Sequence, residues 1–284
     1  MVLAQCDGTI NIENQDDADS LSSCSKIDGD VIIDSSASGT LTINGVEEIT
    51  GDLECINATE LSSLSADSIT SIGGRMNLEE LQILTTLQFD VLTEVTTIRW
   101  LALPALQSLA FNEGVSNVEN ILISNTGLTS LQGLDLDTVE LMDVNNNRYL
   151  EDVDVKNMRN ITKAISFEGN AKELEIKFPN LEFAANMTFK NISDVSMPSL
   201  EYVNGSIGFY SNTFESVYLP NLTETGKALV FQDHEALTNI TAPQLTEVGA
   251  ALNINDNPEL AEIDGFPELQ VIGGALDLSG NFDE

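Results

Sequence analysis

The sequence contains few basic residues. Its 284 residues include 11 Lys and Arg against 46 Asp and Glu, which gives a formal net charge of −35. Nucleic-acid and anionic-membrane partners both need a basic surface, so we predict neither kind of partner. We interpret the acidity as a solvated, self-repelling surface, and a cationic partner or a Ca²⁺ requirement is the alternative.

Long hydrophobic runs are also absent. No stretch of about 18 apolar residues occurs, so we expect no membrane-spanning helix. The N-terminal M-V-L-A-Q-C is too short for a signal peptide, so we expect that any leader has been removed or replaced. The hydrophobic fraction of 42% nevertheless predicts a folded chain.

Residues and motifs typical of enzymes are scarce. The chain has one His, and it lacks G-x-S-x-G, H-E-x-x-H, a phosphate loop and Cys/His metal spacing. Asp143–Asn147 reads D-x-N-x-N, as at the start of a Ca²⁺ loop, but the Gly and the distal Glu are misplaced. We therefore predict no enzyme, no metal and no cofactor. A carbohydrate-active β-helix enzyme remains the alternative, with Asp143, Asn145 and Glu168 as its best acidic cluster.

Only three cysteines are present. Cys6 and Cys24 are 18 residues apart, and in a secreted protein a disulfide between them would stabilise the N-terminal end by about 3 kcal/mol. We interpret Cys55, at an inward strand position, as a buried thiol. A partner outside this stretch of chain is the alternative.

A short phrase recurs throughout the chain. In Ala250–Asn257 two apolar residues, Leu252 and Ile254, are followed three places later by Asn257, which spells L-x-L-x-x-N. The motif predicts thirteen repeat units, which we call rungs, and successive rungs begin 20 to 24 residues apart. Their first apolar residues are Ile10, Val31, Leu53, Met76, Ile98, Ile121, Met142, Ile165, Met187, Ile207, Leu229, Leu252 and Leu276.

This period is too short for a strand and a full helix in every rung. We therefore predict a mainly β fold, a right-handed parallel β-solenoid between a leucine-rich repeat and a β-helix. It is predicted as one continuous domain over residues 1–284, with residues 1–30 as N-terminal cap and first rung. Gln15–Cys24 is expected to form a short capping helix, and the C-terminal cap and anchor region are expected to be missing.

The Asn of the repeated phrase is predicted to turn inward at a corner. Its amide can there bond backbone groups of adjacent rungs, which would otherwise lack partners. The only His occupies the same slot in its rung, so we interpret it as structural. The predicted ladder consists of Asn147, Asn170, Asn212, His234, Asn257 and Asn281.

Side chains between the two apolar residues and after them face outward, because strand residues alternate. Towards the C-terminal half they form a polar strip with one aromatic residue, which suits a glycan or an extended partner. A plain solvated face is the alternative, and Trp100 is predicted to lie in the core. The candidate ligand face consists of Asp143, Asn145, Glu168, Lys190, Tyr210, Gln232, Asn253 and Asn255.

Seven N-x-S/T sequons indicate a secreted eukaryotic glycoprotein. Asn57 and Asn191 lie one place before the inward slots, which Ala58 and Ile192 occupy, so both are predicted to face outward. The predicted N-glycosylation sites are Asn57, Asn160, Asn186, Asn191, Asn204, Asn221 and Asn239.

Several longer phrases resemble the fungal GPI-anchored cell-wall organisation family, whose fold is that of receptor L-domains. The phrases are C-D-G from Cys6, L-S-S-C ending at Cys24, Ile98–Leu109, Ile123–Asp137, Phe178–Phe189, Gly205–Phe214 and Ile263–Gly274.

The resemblance covers the whole chain. It implies an extracellular glycoprotein of the cell wall or the outer face of the plasma membrane, needed for wall integrity and without catalytic residues. A recognition module for wall polysaccharide or a protein ligand is the alternative function, so wall polysaccharide or wall proteins are the expected partners. The Ser/Thr-rich stalk and GPI signal of the family do not occur here, so any membrane attachment depends on an anchor outside this sequence.

Overall fold

The computed structural model describes residues 6–282. The chain forms two compact units: unit 1 comprises Met1–Leu136 and Asn146–Leu150, and unit 2 comprises Asp137–Asn145 and Glu151–Glu284. Each unit is built from short parallel strands that recur with the period of the sequence repeat. The predicted β-solenoid is confirmed, whereas one continuous domain over 1–284 stays a prediction.

Unit 1 begins with a capping element. The helix α1 (Gln15–Ser20) is followed by a 3₁₀ turn, Leu21–Ser23, as expected for this segment. The side chain of Asn14 accepts hydrogen bonds from the backbone N–H groups of Asp16 and Asp17, so the first turn has partners for its donors. The predicted disulfide joins Cys6 to Cys24, whose Cα atoms are 5.7 Å apart, and ties this cap to the first strand.

The strands of unit 1 fall into three faces. They are β1 (Ile10–Ile12), β2 (Lys26–Ile27), β3 (Val31–Ile33), β4 (Ser38–Thr42), β5 (Glu48–Ile49), β6 (Leu53–Ile56), β7 (Glu60–Ser65), β8 (Ser71–Glu79), β9 (Thr86–Gln88), β10 (Glu94–Leu103) and β11 (Val115–Thr126). The main face pairs β1, β3, β6, β8, β10 and β11 in that order, all parallel. A second face pairs β4, β7 and β9, and a short third face pairs β2 and β5 with the start of β8.

Unit 2 repeats the arrangement. Its strands are β12 (Leu134–Asn145), β13 (Asp152–Asp154), β14 (Asn160–Glu168), β15 (Glu175–Lys177), β16 (Phe183–Ala184), β17 (Met187–Lys190), β18 (Asp194–Ser196), β19 (Tyr202–Val203), β20 (Ile207–Tyr210), β21 (Ser216–Tyr218), β22 (Glu224–Thr225), β23 (Leu229–Gln232), β24 (Asn239–Thr241), β25 (Glu247–Val248), β26 (Leu252–Asn255), β27 (Val271–Ile272) and β28 (Leu276–Ser279). The main face pairs β12, β14, β17, β20, β23, β26 and β28 in that order, all parallel.

The pairing register matches the register predicted from the repeat. In unit 1, Ile10 pairs with Val31 and Val31 with Leu53. In unit 2, Leu229 pairs with Leu252 and Leu252 with Leu276. The first apolar residue of each rung therefore stacks on that of the next, which places the second apolar residues in an adjacent inward column.

Stacked apolar side chains fill both interiors. Trp100 and Cys55 in unit 1 have no exposed surface, as predicted for both. In unit 2, Phe167, Phe189, Phe209 and Phe231 form one column whose ring centroids are 6.3, 5.5 and 5.0 Å apart. Burial of large side chains at close packing is the main stabilising contribution in such a fold.

The main-face strands from β6 to β26 end at a residue with left-handed backbone conformation, which forms a corner. This residue lies just before the inward slot and has a positive φ, for example +57° at Asn191 and +60° at Asp233. Asn, Asp and Gly adopt this conformation most readily, and they occupy most of these corners. The corner turns the next side chain into the interior, where the ladder residues lie.

Candidate functional site

The predicted ligand face lies within unit 2 and forms two straight columns. In the first, Asp143 pairs with Ser166, Ser166 with Thr188, and Thr188 with Gly208. Gly208 pairs with Val230, which in turn pairs with Asn253. In the second, Asn145 pairs with Glu168, Glu168 with Lys190, Lys190 with Tyr210, and Tyr210 with Gln232, which in turn pairs with Asn255. The structure thus brings all eight predicted residues to one outward face, at the spacing of about 4.8 Å between neighbouring strands.

Several polar groups of this face bond one another. Lys190 Nζ lies 2.7 Å from Glu168 Oε1, the cross-rung pair expected from the sequence. Asn145 Nδ2 donates to Asp143 Oδ1 over 2.8 Å. Both members of the ion pair are about half exposed, so solvent weakens their attraction and the pair contributes little to stability.

Tyr210 lies flat on this face. A Cβ atom added to Gly208 of the same strand would lie 2.5 Å from the Tyr210 ring, so only Gly leaves room for the ring in this position. The ring therefore covers the backbone at Gly208, and Tyr210 as a whole is half-buried. A flat aromatic ring among amides and charged groups is an arrangement that can stack against a sugar ring.

A groove lies beside the second column, at the left-handed corners of unit 2. It has a volume of about 540 Å³. It is lined by Gly169, Asn170, Lys172, Asn191, Ser211, Asn212, Thr213, Asp233 and Glu235. The sequence repeat did not predict this groove. The recurrence of Asn, Asp or Gly just before most inward slots is the sequence feature that indicates the left-handed corners along it.

The predicted ladder residues form a repeated hydrogen-bond motif inside the solenoid. In unit 1, Asn147 Nδ2 donates to the carbonyl of Ile123, and Asn147 Oδ1 accepts from the backbone N–H of Thr126. In unit 2, Asn212 makes the same two bonds, to the Phe189 carbonyl and the Ile192 N–H. Each amide therefore satisfies two backbone groups of the preceding rung.

The remaining ladder residues complete the motif with one exception. Asn170 donates to the Val144 carbonyl, and Asn257 donates to the Phe231 carbonyl. Asn281 also donates to a carbonyl of the preceding rung, that of Pro258, but its side chain is exposed. The difference arises because no further strand of the described chain covers β28.

His234 is part of this ladder. Its Nδ1 donates to Asn257 Oδ1 over 2.9 Å, and its Nε2 faces Asn212 Nδ2 at 3.3 Å. Burial lowers the pKa of His234 to about 4, while the hydrogen bond to Asn257 raises it by a smaller amount. A neutral imidazole without exposed surface has no access to a substrate, so its position supports a structural role.

The acidic residues do not cluster around a metal-binding position in the part of the chain that the structure describes. Residues 6–282 contain no group of three or more His, Cys, Asp or Glu that could hold a metal ion. The proposed acidic cluster is divided, since Glu168 pairs with Lys190 whereas Asp143 accepts from Asn145. Within the same residues, no helix is both long and apolar enough to cross a bilayer.

A second polar network lies on the main face of unit 1. Arg99 Nη1 donates to Asn77 Oδ1 over 2.7 Å and to Glu79 Oε2 over 2.6 Å, and Asn77 Nδ2 donates to Glu54 Oε2. These groups satisfy one another, which suits a rigid scaffold more than a binding surface.

None of the seven sequon Asn residues is buried. Six of these residues lie in unit 2, and they differ in their bonding. The amides of Asn186 and Asn221 donate to the carbonyls of Lys163 and Pro198 in neighbouring rungs. Asn57 and Asn191 occupy left-handed corners, with φ of +59° and +57°, and the slots after them, Ala58 and Ile192, are buried. Asn160 and Asn191 are half-buried and the other five are exposed, and glycosylation of all seven stays a prediction.

The chain is similar to curated fungal proteins over nearly its whole length. It is 47% identical over 277 residues to "Cell surface GPI-anchored protein" of Arthroderma benhamiae, covering 98% of this chain and 71% of the relative. It is 46% identical over 278 residues to "Protein ecm33" of Aspergillus fumigatus, covering 98% and 69%. It is 35% identical over 236 residues to "Cell wall protein ecm33" of Schizosaccharomyces pombe, covering 82% and 56%.

Two further comparisons gave no match. No family model matches the chain. No solved structure matches it.

Proposed function

Since the chain belongs to the family of fungal GPI-anchored cell-surface and cell-wall proteins, we propose that it is a non-enzymatic glycoprotein that contributes to the organisation and integrity of the cell wall. The observation that carries this proposal is the 47% identity over 98% of the chain with a cell-surface GPI-anchored protein. Its place is outside the cell, at the wall or the outer face of the plasma membrane.

The structure supports a scaffold role through its polar interior. The only His is enclosed between two ladder amides, and the inward Asn residues bond backbone groups of adjacent rungs. In an enzyme such polar residues would face a substrate, whereas here the inward Asn residues and His234 form hydrogen bonds between adjacent rungs. The acidic surface suits a soluble, hydrated position in the wall.

Deletion of the gene in the source fungus tests this proposal. We expect the deleted strain to become more sensitive to dyes that perturb wall assembly, and a copy of the wild-type gene to restore resistance. Unchanged sensitivity of the deleted strain would contradict the wall role.

A second candidate function is recognition of a wall polysaccharide by the candidate ligand face. The observation that favours it is the flat Tyr210 ring over Gly208, within two columns of amides, hydroxyls and charges. An extended glycan could follow these columns, stack one sugar on Tyr210 and form hydrogen bonds with Gln232, Asn253 and Asn255. This arrangement is suited to binding along the rungs rather than to a closed pocket.

Binding of purified wall polysaccharides by the wild-type protein and by two Tyr variants tests this second function. Tyr210→Ala is expected to abolish binding. Tyr218→Ala is the matched control, because Tyr218 is an exposed Tyr, 59% accessible, on β21 of the same unit, which pairs with β24 outside the main face. Equal binding by both variants, or no binding of any wall polysaccharide by the wild-type protein, would contradict glycan recognition by the candidate ligand face.

A further inference from the structure

The groove of unit 2 contains one of the predicted glycosylation sites. Asn191 begins the sequon Asn191-Ile192-Ser193 and also lines the groove. The corner residues of four successive rungs, Gly169, Asn191, Ser211 and Asp233, line the groove together. At about 4.8 Å per step these corners extend about 14 Å along the rungs, which makes an elongated groove rather than a round pocket.

The side-chain amide of Asn191 has no hydrogen-bond partner within the described chain, whereas its backbone N–H donates to the Tyr210 carbonyl. This distinguishes it from Asn186 and Asn221, whose Nδ2 atoms donate to carbonyls of neighbouring rungs at 3.0 and 2.7 Å. Attachment of a sugar at Asn191 therefore breaks no bond of the fold. The left-handed backbone at this corner is one that Asn adopts readily.

Other polar side chains that line the groove also lack ion pairs or hydrogen bonds within the described chain. Among residues 6–282, Lys172 forms no ion pair, and the side chains of Ser211 and Glu235 form no hydrogen bond. Thr213 Oγ1 donates a long hydrogen bond of 3.3 Å to the Ile192 carbonyl, and its oxygen can still accept hydrogen bonds. The groove thus presents an ammonium, hydroxyls and carboxylates, the donors and acceptors that sugar hydroxyls and acetamido groups use.

We propose that the groove binds the inner N-acetylglucosamine units of the glycan attached to Asn191. In the attachment, Nδ2 of Asn191 forms a bond to C1 of the first sugar and loses one proton. The bond from that C1 to the lipid-pyrophosphate carrier breaks, and the carrier leaves with its electron pair. The groove then holds the sugars against Lys172, Ser211, Thr213 and Glu235, so the glycan lies along the corners beside the candidate ligand face.

This inference goes beyond the proposed wall function and does not depend on it. It rests on secretion through the glycosylation machinery. It gives the glycan at Asn191 a fixed position, whereas a glycan at a convex surface would move freely in solvent. A fixed glycan would form one edge of the candidate ligand face.

Release of glycans from the native secreted protein tests the proposal. An amidase that cleaves the Asn–sugar bond is applied to the folded protein, and the sites are followed by mass spectrometry of peptides. Asn57 is the matched control, because it also begins a sequon at a left-handed corner but does not line the groove. We expect release at Asn191 to be about tenfold slower than at Asn57, since a few net hydrogen bonds hold the sugars in the groove.

Variants of the groove show whether its side chains cause the protection. Lys172→Ala and Glu235→Ala remove exposed groups that make no bond in the fold, and together they are expected to bring release at Asn191 close to the rate at Asn57. In denatured protein the two sites should be cleaved at equal rates. Equal release from the native protein, an unmodified Asn191 in the secreted protein, or protection that survives both substitutions would each overturn the proposal. None of these results would affect the dye sensitivity expected from gene deletion.

Discussion

The ring Nδ1 of His234 donates a hydrogen bond to Oδ1 of Asn257, 2.9 Å away, inside the solenoid of unit 2. On the other side, Nε2 of the same ring faces the amide nitrogen of Asn212 at 3.3 Å. Since Asn212 Nδ2 also donates to the Phe189 carbonyl, Nε2 accepts from an amide donor and the neutral ring fits the ladder. A proton on Nε2 would place two donors against each other.

The protein is expected to lose stability in acid partly through His234. Its pKa is lowered from 6.5 to about 4 in the folded protein. Below pH 6.5 the unfolded chain therefore binds a proton that the folded chain does not, so the contribution present above pH 6.5 is lost as the pH falls towards 4. The loss amounts to about 3 kcal/mol. Urea midpoints measured between pH 7 and pH 4 should fall more steeply for the wild type than for His234→Asn, and parallel curves would contradict this account.

Removal of one ladder amide is expected to destabilise unit 2 strongly. Asn257→Ala leaves the His234 N–H, the His234 ring N–H and the Phe231 carbonyl without their partner. Buried groups left unpaired cost about 1 to 3 kcal/mol each, so we expect a loss of at least about 2 kcal/mol in the free energy of unfolding. Asn255→Ala, two residues earlier on the outward side, should change it by less than about 0.5 kcal/mol. Similar thermal midpoints for the two variants would show that the ladder is not a stabilising element.

The Phe column is expected to be the main stabilising contact of the unit 2 interior. Phe209 stacks on Phe189 at 5.5 Å and on Phe231 at 5.0 Å and has no exposed surface. Phe209→Ala should reduce the free energy of unfolding by about 3 to 5 kcal/mol, through lost burial and the cavity that remains. Tyr210→Ala, the next residue and outward, should have a small effect in the same urea titration. A small effect of both substitutions would contradict the inward column.

The thiol of Cys55 is expected to be inert in the folded protein. Burial, and to a smaller extent the charge of Glu54, raise its pKa to about 12. The thiolate is therefore scarce at neutral pH, and a thiol reagent should label Cys55 only after unfolding. Rapid labelling of native protein would show that the strand β6 is open to solvent. Cys6 and Cys24 provide the internal control, because they become available only after reduction.

The repeat predicted much of the fold because its spacing carries the register. Strands with a side-chain period of two and a fixed step have one pairing that buries every apolar residue, so Leu252 could be aligned with Leu276 from the sequence alone. The ladder was predictable for the same reason: an Asn in a buried column must bond the backbone. Trp100 and Cys55 followed from that register.

The groove and its contacts were not predictable from the repeat. Its lining depends on the positions of side chains that follow the main-face strands. Lys172 and Glu235 come after the inward slots, and because the length of the rungs varies there, the repeat does not predict where these side chains lie. The flat position of Tyr210 depends on Gly208 in its own strand, which appears in sequence as an ordinary outward residue. Left-handed corners at Glu80, Ala102 and Ser211 also lack the Asn, Asp or Gly signal that marks the others.

Rescue of the deletion strain by an altered gene tests the central claim, a wall role without catalysis, most directly. The variant Asp143→Asn/Glu168→Gln removes both carboxylates of the best acidic cluster and keeps their size and much of their hydrogen bonding. Resistance to wall-perturbing dyes is measured beside a strain that carries the wild-type gene, with equal surface amounts of both proteins verified. We expect full rescue by the variant. Failure of a normally secreted variant to restore resistance would contradict the account and assign the wall function to these two carboxylates, through catalysis or through binding.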